Sequence, residues 1–300
     1  VKNNLSIFIL AFLTGIALCF TMIFCLQDRE STSNSRGFGM FSWKSTDVSP
    51  AESPTMQRCI EINSVSQVYQ NFSQEDLAED GYAHTFISQL QEKSVSVHAL
   101  IGEAEWAYDA SGAPLIKRLQ ELVTYNQSCQ NSVEKIRGVV VDVEPYLLDE
   151  WDDSREAREK LMKKYLGCLS CAYQYAVQNE LEFTVCIPIF YNSSCPDILE
   201  SLISDNCDAI AVMNYNRSDE YGQMAHEVGL AREYGKKVIC IYELQAPGKH
   251  SIKDQNTYAY EGLEALKKSA ARLERQFGYS ELSFAYHWYE PLKSLSGLEP

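Results

Sequence analysis

Positive charge is scarce in this chain: 26 lysines and arginines stand against 41 aspartates and glutamates, a formal net charge of -15. A surface of that sign repels phosphate backbones and anionic headgroups, which excludes nucleic acid as a partner and leaves a neutral or cationic ligand. Metal-binding patterns are lacking as well. The five histidines are scattered, with no His-x-His or His-x-x-x-His pair, so no metal and no cofactor is expected. Cys168-Leu-Ser-Cys171 has no second Cys-x-x-Cys to complete it and no histidine nearby, and it falls within a stretch of helical period. It reads as thiols on a buried helix face. No glycine-rich phosphate loop follows the first apolar run, which removes the commonest signature of a doubly wound nucleotide-binding sheet. Amidase and peptidase chemistry usually wants a metal or an activated Ser or Cys, and neither constellation is apparent.

What is there begins with Leu5 to Leu26, an uncharged and almost wholly apolar run of about the length that spans a bilayer, longer than the core of a signal peptide. Lys2 precedes it, while Asp28, Arg29 and Glu30 follow, so the weak positive-inside bias leaves the N-terminus in the cytoplasm and the bulk of the chain outside. No small-x-small cleavage site follows, and Cys19 and Cys25 lack the small residue that precedes a lipidated cysteine. Residues 1–26 are therefore expected to be a single-pass anchor in the cell membrane, residues 27–36 a polar tether, and residues 37–300 an extracellular domain, secreted if the anchor is cleaved. The cysteines beyond the anchor could pair in an oxidising space, but spacing does not say which with which.

From Gly37 short apolar runs alternate with longer amphipathic ones. Strands are expected at Phe38–Trp43, Val65–Phe72, Val95–Ile101, Arg137–Glu144, Glu182–Phe190, Cys207–Asn216, Lys237–Glu243 and Ser283–Trp288, with helical patterns between them. Strict alternation implies parallel pairing through right-handed crossovers, and eight such units close into a (β/α)8 TIM barrel. The domain length suits one such barrel.

In a barrel of this kind, chemistry gathers at the C-terminal ends of the strands. The most informative end is Gly138-Val-Val-Val-Asp-Val-Glu144. Side chains alternate along a strand, so Asp142 and Glu144 share one face while Val141 and Val143 take the other. Around them the strand ends bring Trp43, His98, Trp106, Tyr146, Tyr191, Asn214, Tyr215, Asn216, Glu243, His287, Trp288 and Tyr289. Paired carboxylates lined by aromatics and amides describe a carbohydrate site, because sugars offer apolar C–H faces for stacking and hydroxyls for hydrogen bonding. Asp142, Glu144 and Glu243 are the candidate catalytic groups. His98, Trp106, Tyr146, Asn214, Tyr215, Asn216, His287 and Trp288 are the candidate substrate contacts.

The run Gly138 to Glu144 resembles the strand-four motif D-G-x-D-x-D-x-E of chitinase-type glycoside hydrolases, and Met213-Asn-Tyr-Asn216 is similar to their strand-six M-x-Y-D. The resemblance implies Glu144 as proton donor, Asp142 as the carboxylate that orients a substrate acetamido group, and Tyr215 as a contact to that group. Arg137 and Val140 stand where the family has its first two acids, and Asn216 replaces its Asp. From Gly37 to Glu290 the chain also resembles uncharacterised bacterial glycoside-hydrolase-like barrels, through Val97-His-Ala-Leu-Ile-Gly102, Asp142-Val-Glu-Pro-Tyr146 and Ala285-Tyr-His-Trp-Tyr289.

A glycosidase needs a protonated acid at the leaving oxygen and a second group for the anomeric centre. Glu144 lies nearer the mouth, and repulsion from Asp142 favours its protonated form. Glu243 serves as a nucleophile if it stands about 5 Å from Glu144, and fits an inverting route at about 7 to 9 Å. If it is turned away, Asp142 with a substrate acetamido group is the retaining option. The alternative from another class is a barrel that binds a cell-wall glycan without cleaving it.

Overall fold

The computed structural model describes residues 37–248 and 251–298. The expected anchor and tether, residues 1–26 and 27–36, lie outside the described residues. Among the described residues no helix is long and apolar enough to cross a membrane.

Eight strands form one closed parallel barrel in chain order: β1 (Phe38–Ser42), β2 (Val65–Gln70), β3 (Ser96–Ile101), β4 (Gly138–Val141), β5 (Glu182–Pro188), β6 (Ala209–Met213), β7 (Lys237–Glu243) and β8 (Leu282–His287). Closure runs through β1 and β8, where Gly39 pairs with Ala285 and Met40 with Tyr286. The principal helices on the outside are α1 (Ser53–Ile62), α2 (Ala83–Glu92), α3 (Ala113–Ser128), α4 (Arg155–Gln178), α5 (Pro196–Asp205), α6 (Ala225–Tyr234), α7 (Gly262–Phe277) and α8 (Tyr289–Leu295).

Local sequence explains the helix ends. Proline stands in the first turn of α1, α3 and α5, where a missing N–H costs nothing. Ser154 caps α4 by accepting a hydrogen bond from the Ala157 amide at 3.1 Å. Helices α6 and α7 stop at Gly235 and Gly278, both in the left-handed conformation that glycine adopts without strain. Buried Leu266, Ala270, Leu273 and Phe277 form a stripe along α7, spaced as a helix packed on a sheet requires.

Strand alternation divides the core in two. Outward side chains such as Val139, Val141, Phe183, Val185, Ile210, Val212 and Val238 pack under the helices. Inward ones, Phe41, Tyr69, Leu100, Val140, Cys186, Ala211, Ile239, Ile241 and Ala285, fill the barrel. Because both faces are buried, the strands read as continuous apolar runs, the clearest being the wholly buried Gly-Val-Val-Val of β4.

The cysteines of the described residues are free thiols. Cys168 is buried on α4 and Cys171 is half-buried.

Candidate active site

Strand β4 ends by hydrogen-bond pattern at Val141, yet the strand phase continues. The Asp142 amide donates to the Ile101 carbonyl at 2.8 Å, which keeps Val143 turned outward and buried. Asp142 and Glu144 therefore face the mouth of the barrel together. This placement needs Gly102 beside it: a Cβ there would stand 2.0 Å from the Asp142 carbonyl oxygen. Pro145 then opens a short 3-10 turn, Pro145–Leu147, which swings the Tyr146 hydroxyl back to donate to Glu144 Oε1.

The two carboxyls share a cavity of about 850 Å³ with Trp43, Tyr146, Cys186, Phe190, Met213, Tyr215, Glu243, Gln245, His287 and Trp288. Burial, followed by repulsion from Glu144, pushes Asp142 up to about 7, with His287 opposing. Glu144 is likewise raised by burial, against the Tyr146 hydrogen bond and His287. The pair thus holds a proton near neutrality. Asp142 Oδ1 is buried without a hydrogen-bond partner. Beneath it on the same face lies Val140, so no second carboxyl sits below.

Glu243 differs from this pair. Oε1 accepts the backbone amides of Leu244 and Gln245 at 2.8 and 2.7 Å, and Oε2 faces His287 Nδ1 at 2.9 Å. Trp43 Nε1, which can only donate, points at His287 Nε2 at 3.3 Å. Nε2 must then accept, so the imidazole proton sits on Nδ1 and is donated to Glu243. Burial alone would raise Glu243, but the hydrogen bond from His287 and the two amides hold the carboxyl below its ordinary range. Tyr215 stacks obliquely on His287, with ring centroids 5.8 Å apart. Tyr146 and Phe190 meet edge to face at 5.2 Å on the opposite wall, with Trp151 and Tyr191 behind them.

Of the residues singled out by sequence, the cavity gathers Asp142, Glu144, Tyr146, Tyr215, Glu243, His287 and Trp288, together with Trp43. Four expected contacts lie elsewhere. His98 is 3% exposed inside the barrel, paired with Gln67 Nε2 at 2.7 Å. Its charged neighbours are Glu182, Lys237 and Arg137, which flank the N-terminal ends of strands, and burial lowers its pKa to about 4. It occupies a lower layer than the mouth. Asn214 has opposite parity to Tyr215. It is 2% exposed, and its Nδ2 donates to the Glu220 carbonyl at 3.0 Å. Asn216 Oδ1 accepts from the Ser218 amide and hydroxyl, closing a turn. Trp106 lies on a 3-10 turn and packs against the outer core. Conversely, Cys186, Met213, Phe190 and Gln245 line the cavity without having been singled out. Inward parity on β5 and β6 was the available signal for the first two.

Fold and site together place the chain among (β/α)8 barrels with a carboxylate pair at the C-terminal end of β4. Solved structures with this fold include a GH18 chitinase from Pseudoalteromonas aurantia, matched over 88% of this chain and 100% of that one, with TM-score 0.52 and 12% identity. A chitinase from Chromobacterium violaceum matches over 87% and 98%, with TM-score 0.51 and 11% identity. The spore cortex-lytic enzyme of Bacillus megaterium matches over 86% and 72%, with TM-score 0.52 and 11% identity. The resemblance to glycoside hydrolase barrels is therefore one of fold. No family model and no curated protein matches the sequence.

Proposed function

We propose that this chain is a glycoside hydrolase acting on a cell-wall or other extracellular glycan, with Glu144 as the general acid. The observation that carries the reading is the carboxyl pair at the end of β4: both groups are pushed toward their protonated forms by burial, and Glu144 is steadied by Tyr146. The solved barrels that share the fold include two chitinases and a spore cortex-lytic enzyme, which supports a polymeric sugar as substrate.

Glu243 has both oxygens engaged, so it orients His287 in preference to attacking carbon. The second group at the anomeric centre is then the acetamido oxygen of an N-acetyl sugar, steadied by Asp142 and Tyr215. Asp142 Oδ1 without a partner supports this, since a substrate N–H would satisfy it. Departure of the leaving group takes the Glu144 proton, and the resulting carboxylate accepts a proton from the water that completes hydrolysis. Trp43, Trp288 and Phe190 offer faces for sugar C–H stacking. Residues 1–26 would hold the barrel at the outer face of the cell membrane.

A second reading, a barrel that binds glycan without cleaving it, is favoured by Val140 beneath Asp142. The test is release of reducing ends from a panel of cell-wall and plant glycans by the protein and its Glu144→Gln variant. Release by the wild type alone is expected. No release from any glycan, with equal retention of both proteins on one of them, would give the binding module, and undiminished release by the variant would remove Glu144 as the acid.

A further inference from the structure

We propose that His84, Cys129 and Glu134 form a binding site for a zinc-like divalent metal ion on the outer wall of the barrel. The site is independent of the glycosidase reading, since none of these residues lines the mouth cavity. His84 lies in the first turn of α2, Cys129 follows the last residue of α3, and Glu134 ends a short 3-10 turn, Ser132–Glu134, that leads toward β4. Packing brings one donor atom of each to within 4.8 Å of the others. His84 Nδ1 is 3.9 Å from Cys129 Sγ and 3.8 Å from Glu134 Oε2.

Metal–ligand geometry sets what those distances mean. Zinc bound at about 2.3 Å to sulfur and about 2.0 to 2.2 Å to nitrogen and oxygen, at tetrahedral angles, separates its S and N ligands by about 3.6 Å and its N and O ligands by about 3.4 Å. The two separations from His84 exceed these by about 0.3 to 0.4 Å, and the Cys129 and Glu134 donors, within 4.8 Å of each other, must also draw together for all three to meet one ion. The donor set chooses the metal: thiolate with imidazole suits zinc and its neighbours, whereas calcium and magnesium want oxygen throughout.

The carboxylate is already oriented. Glu134 Oε1 accepts from Asn131 Nδ2 at 2.8 Å, and Oε2 from the amides of Gln130 and Asn131 at 3.2 and 3.3 Å. Such supporting bonds fix a ligand in place before the metal arrives. Cys129 now shares its thiol hydrogen with the Tyr125 carbonyl at 3.3 Å. On metal binding that proton leaves to solvent and the thiolate takes the ion, while the Tyr125 carbonyl keeps the Cys129 amide at 3.2 Å and the Ser128 hydroxyl at 2.8 Å. Three protein ligands leave a fourth position, and His84 and Glu134 border a cavity of about 970 Å³ between α3 and the segment at residues 74–79 that precedes α2. A water from that cavity completes the tetrahedron, so the ion stays open to exchange.

Titration of the full-length, reduced, metal-stripped protein with cobalt(II) chloride tests the site, because a cobalt–thiolate bond absorbs in the near ultraviolet and a tetrahedral ion absorbs strongly in the visible. One equivalent per chain is expected to give both bands. Cys129→Ser should abolish the thiolate band, and His84→Ala should weaken affinity by at least about 100-fold, while Asn131→Ala should weaken it by about 10- to 100-fold as removal of a supporting bond does. Cys171→Ser, a half-buried thiol away from the site, should leave both bands unchanged. Absence of bands in the wild type, or their retention in Cys129→Ser, overturns the proposal. Should Cys129→Ser fail to fold, the half-buried His84→Ala decides, and unchanged affinity there overturns it equally.

Discussion

Replacing Asp142 with Asn removes a charge that the folded protein holds against its own environment. Its carboxyl is lifted from an ordinary value of 3.8 to about 7, mainly by burial and then by the Glu144 charge, which corresponds to about 4 kcal/mol at about 1.4 kcal/mol per factor of ten. The sign follows from proton linkage. Between pH 3.8 and about 7 the folded state binds a proton that the unfolded state has lost, so this residue costs nothing below that window, and stability falls as pH rises through it. Asn is nearly isosteric and carries no charge. Urea unfolding of wild type and Asp142→Asn should accordingly coincide at pH 4 and diverge as pH rises, with the variant more stable by up to about 4 kcal/mol at pH 8. Under the proposed function the variant should also lose glycan turnover, since stability and chemistry would then pull in opposite directions at this residue. A stability difference that does not change with pH, or a wild type that gains on the variant in alkali, would refute both the burial of this carboxyl and its pairing with Glu144.

Further expectations follow from the same physics. Glu227 is fully buried with both carboxyl oxygens unpartnered, and burial raises it to about 7. Glu227→Met should therefore stabilise the protein increasingly from pH 4.5 upward, as read by thermal melts at pH 5 and 8. Glu243→Gln would put an amide N–H against His287 Nδ1, force the proton to Nε2 and set it against Trp43 Nε1–H, at a cost of about 1 to 3 kcal/mol. Part of that loss should return in a Trp43→Phe background, and a double-mutant cycle without coupling would contradict the tautomer assignment. Gly102→Ala drives a methyl group onto the Asp142 carbonyl and should cost at least about 1 to 3 kcal/mol together with activity. Gly229→Ala on α6 meets nothing within 4 Å and should stabilise by about 0.5 to 1 kcal/mol, a contrast that a pair of melting curves resolves.

The architecture was legible because buried parallel strands announce themselves as Val/Ile runs, and the glycines and prolines at helix ends mark their limits. Face was legible for Asp142 and Glu144, which alternation put on one side of their strand; the same alternation, carried to later strands, also gives Tyr215, Glu243 and His287 the inner side. Parity consistently applied would have turned Asn214 and Asn216 away, since each neighbours Tyr215. Height along the barrel was not legible. His98 has inward parity, but the stagger of adjacent strands decides that it lies level with Gln67 and Glu182 and not with Asp142, and no local pattern encodes that stagger. The state of Glu243 was equally hidden, because its partners combine a residue 44 positions away with the amides of its own loop. The trio on the outer wall joins His84 to Cys129 across 45 positions, so no spacing rule for metal ligands could have found it.

The interior below the mouth is packed solid by Phe41, Tyr69, Leu100, Val140 and their neighbours, and the strands that bear them close on themselves without a free edge. Recognition and cohesion are thereby assigned to different parts of the molecule. A polymer can lie across the rim or dip into it, but it has no passage through, so whatever enters leaves by the same opening. The loops forming that rim can lengthen, shorten or exchange residues without disturbing the plug beneath. The same floor could thus serve successive generations of rims, each suited to a different ligand.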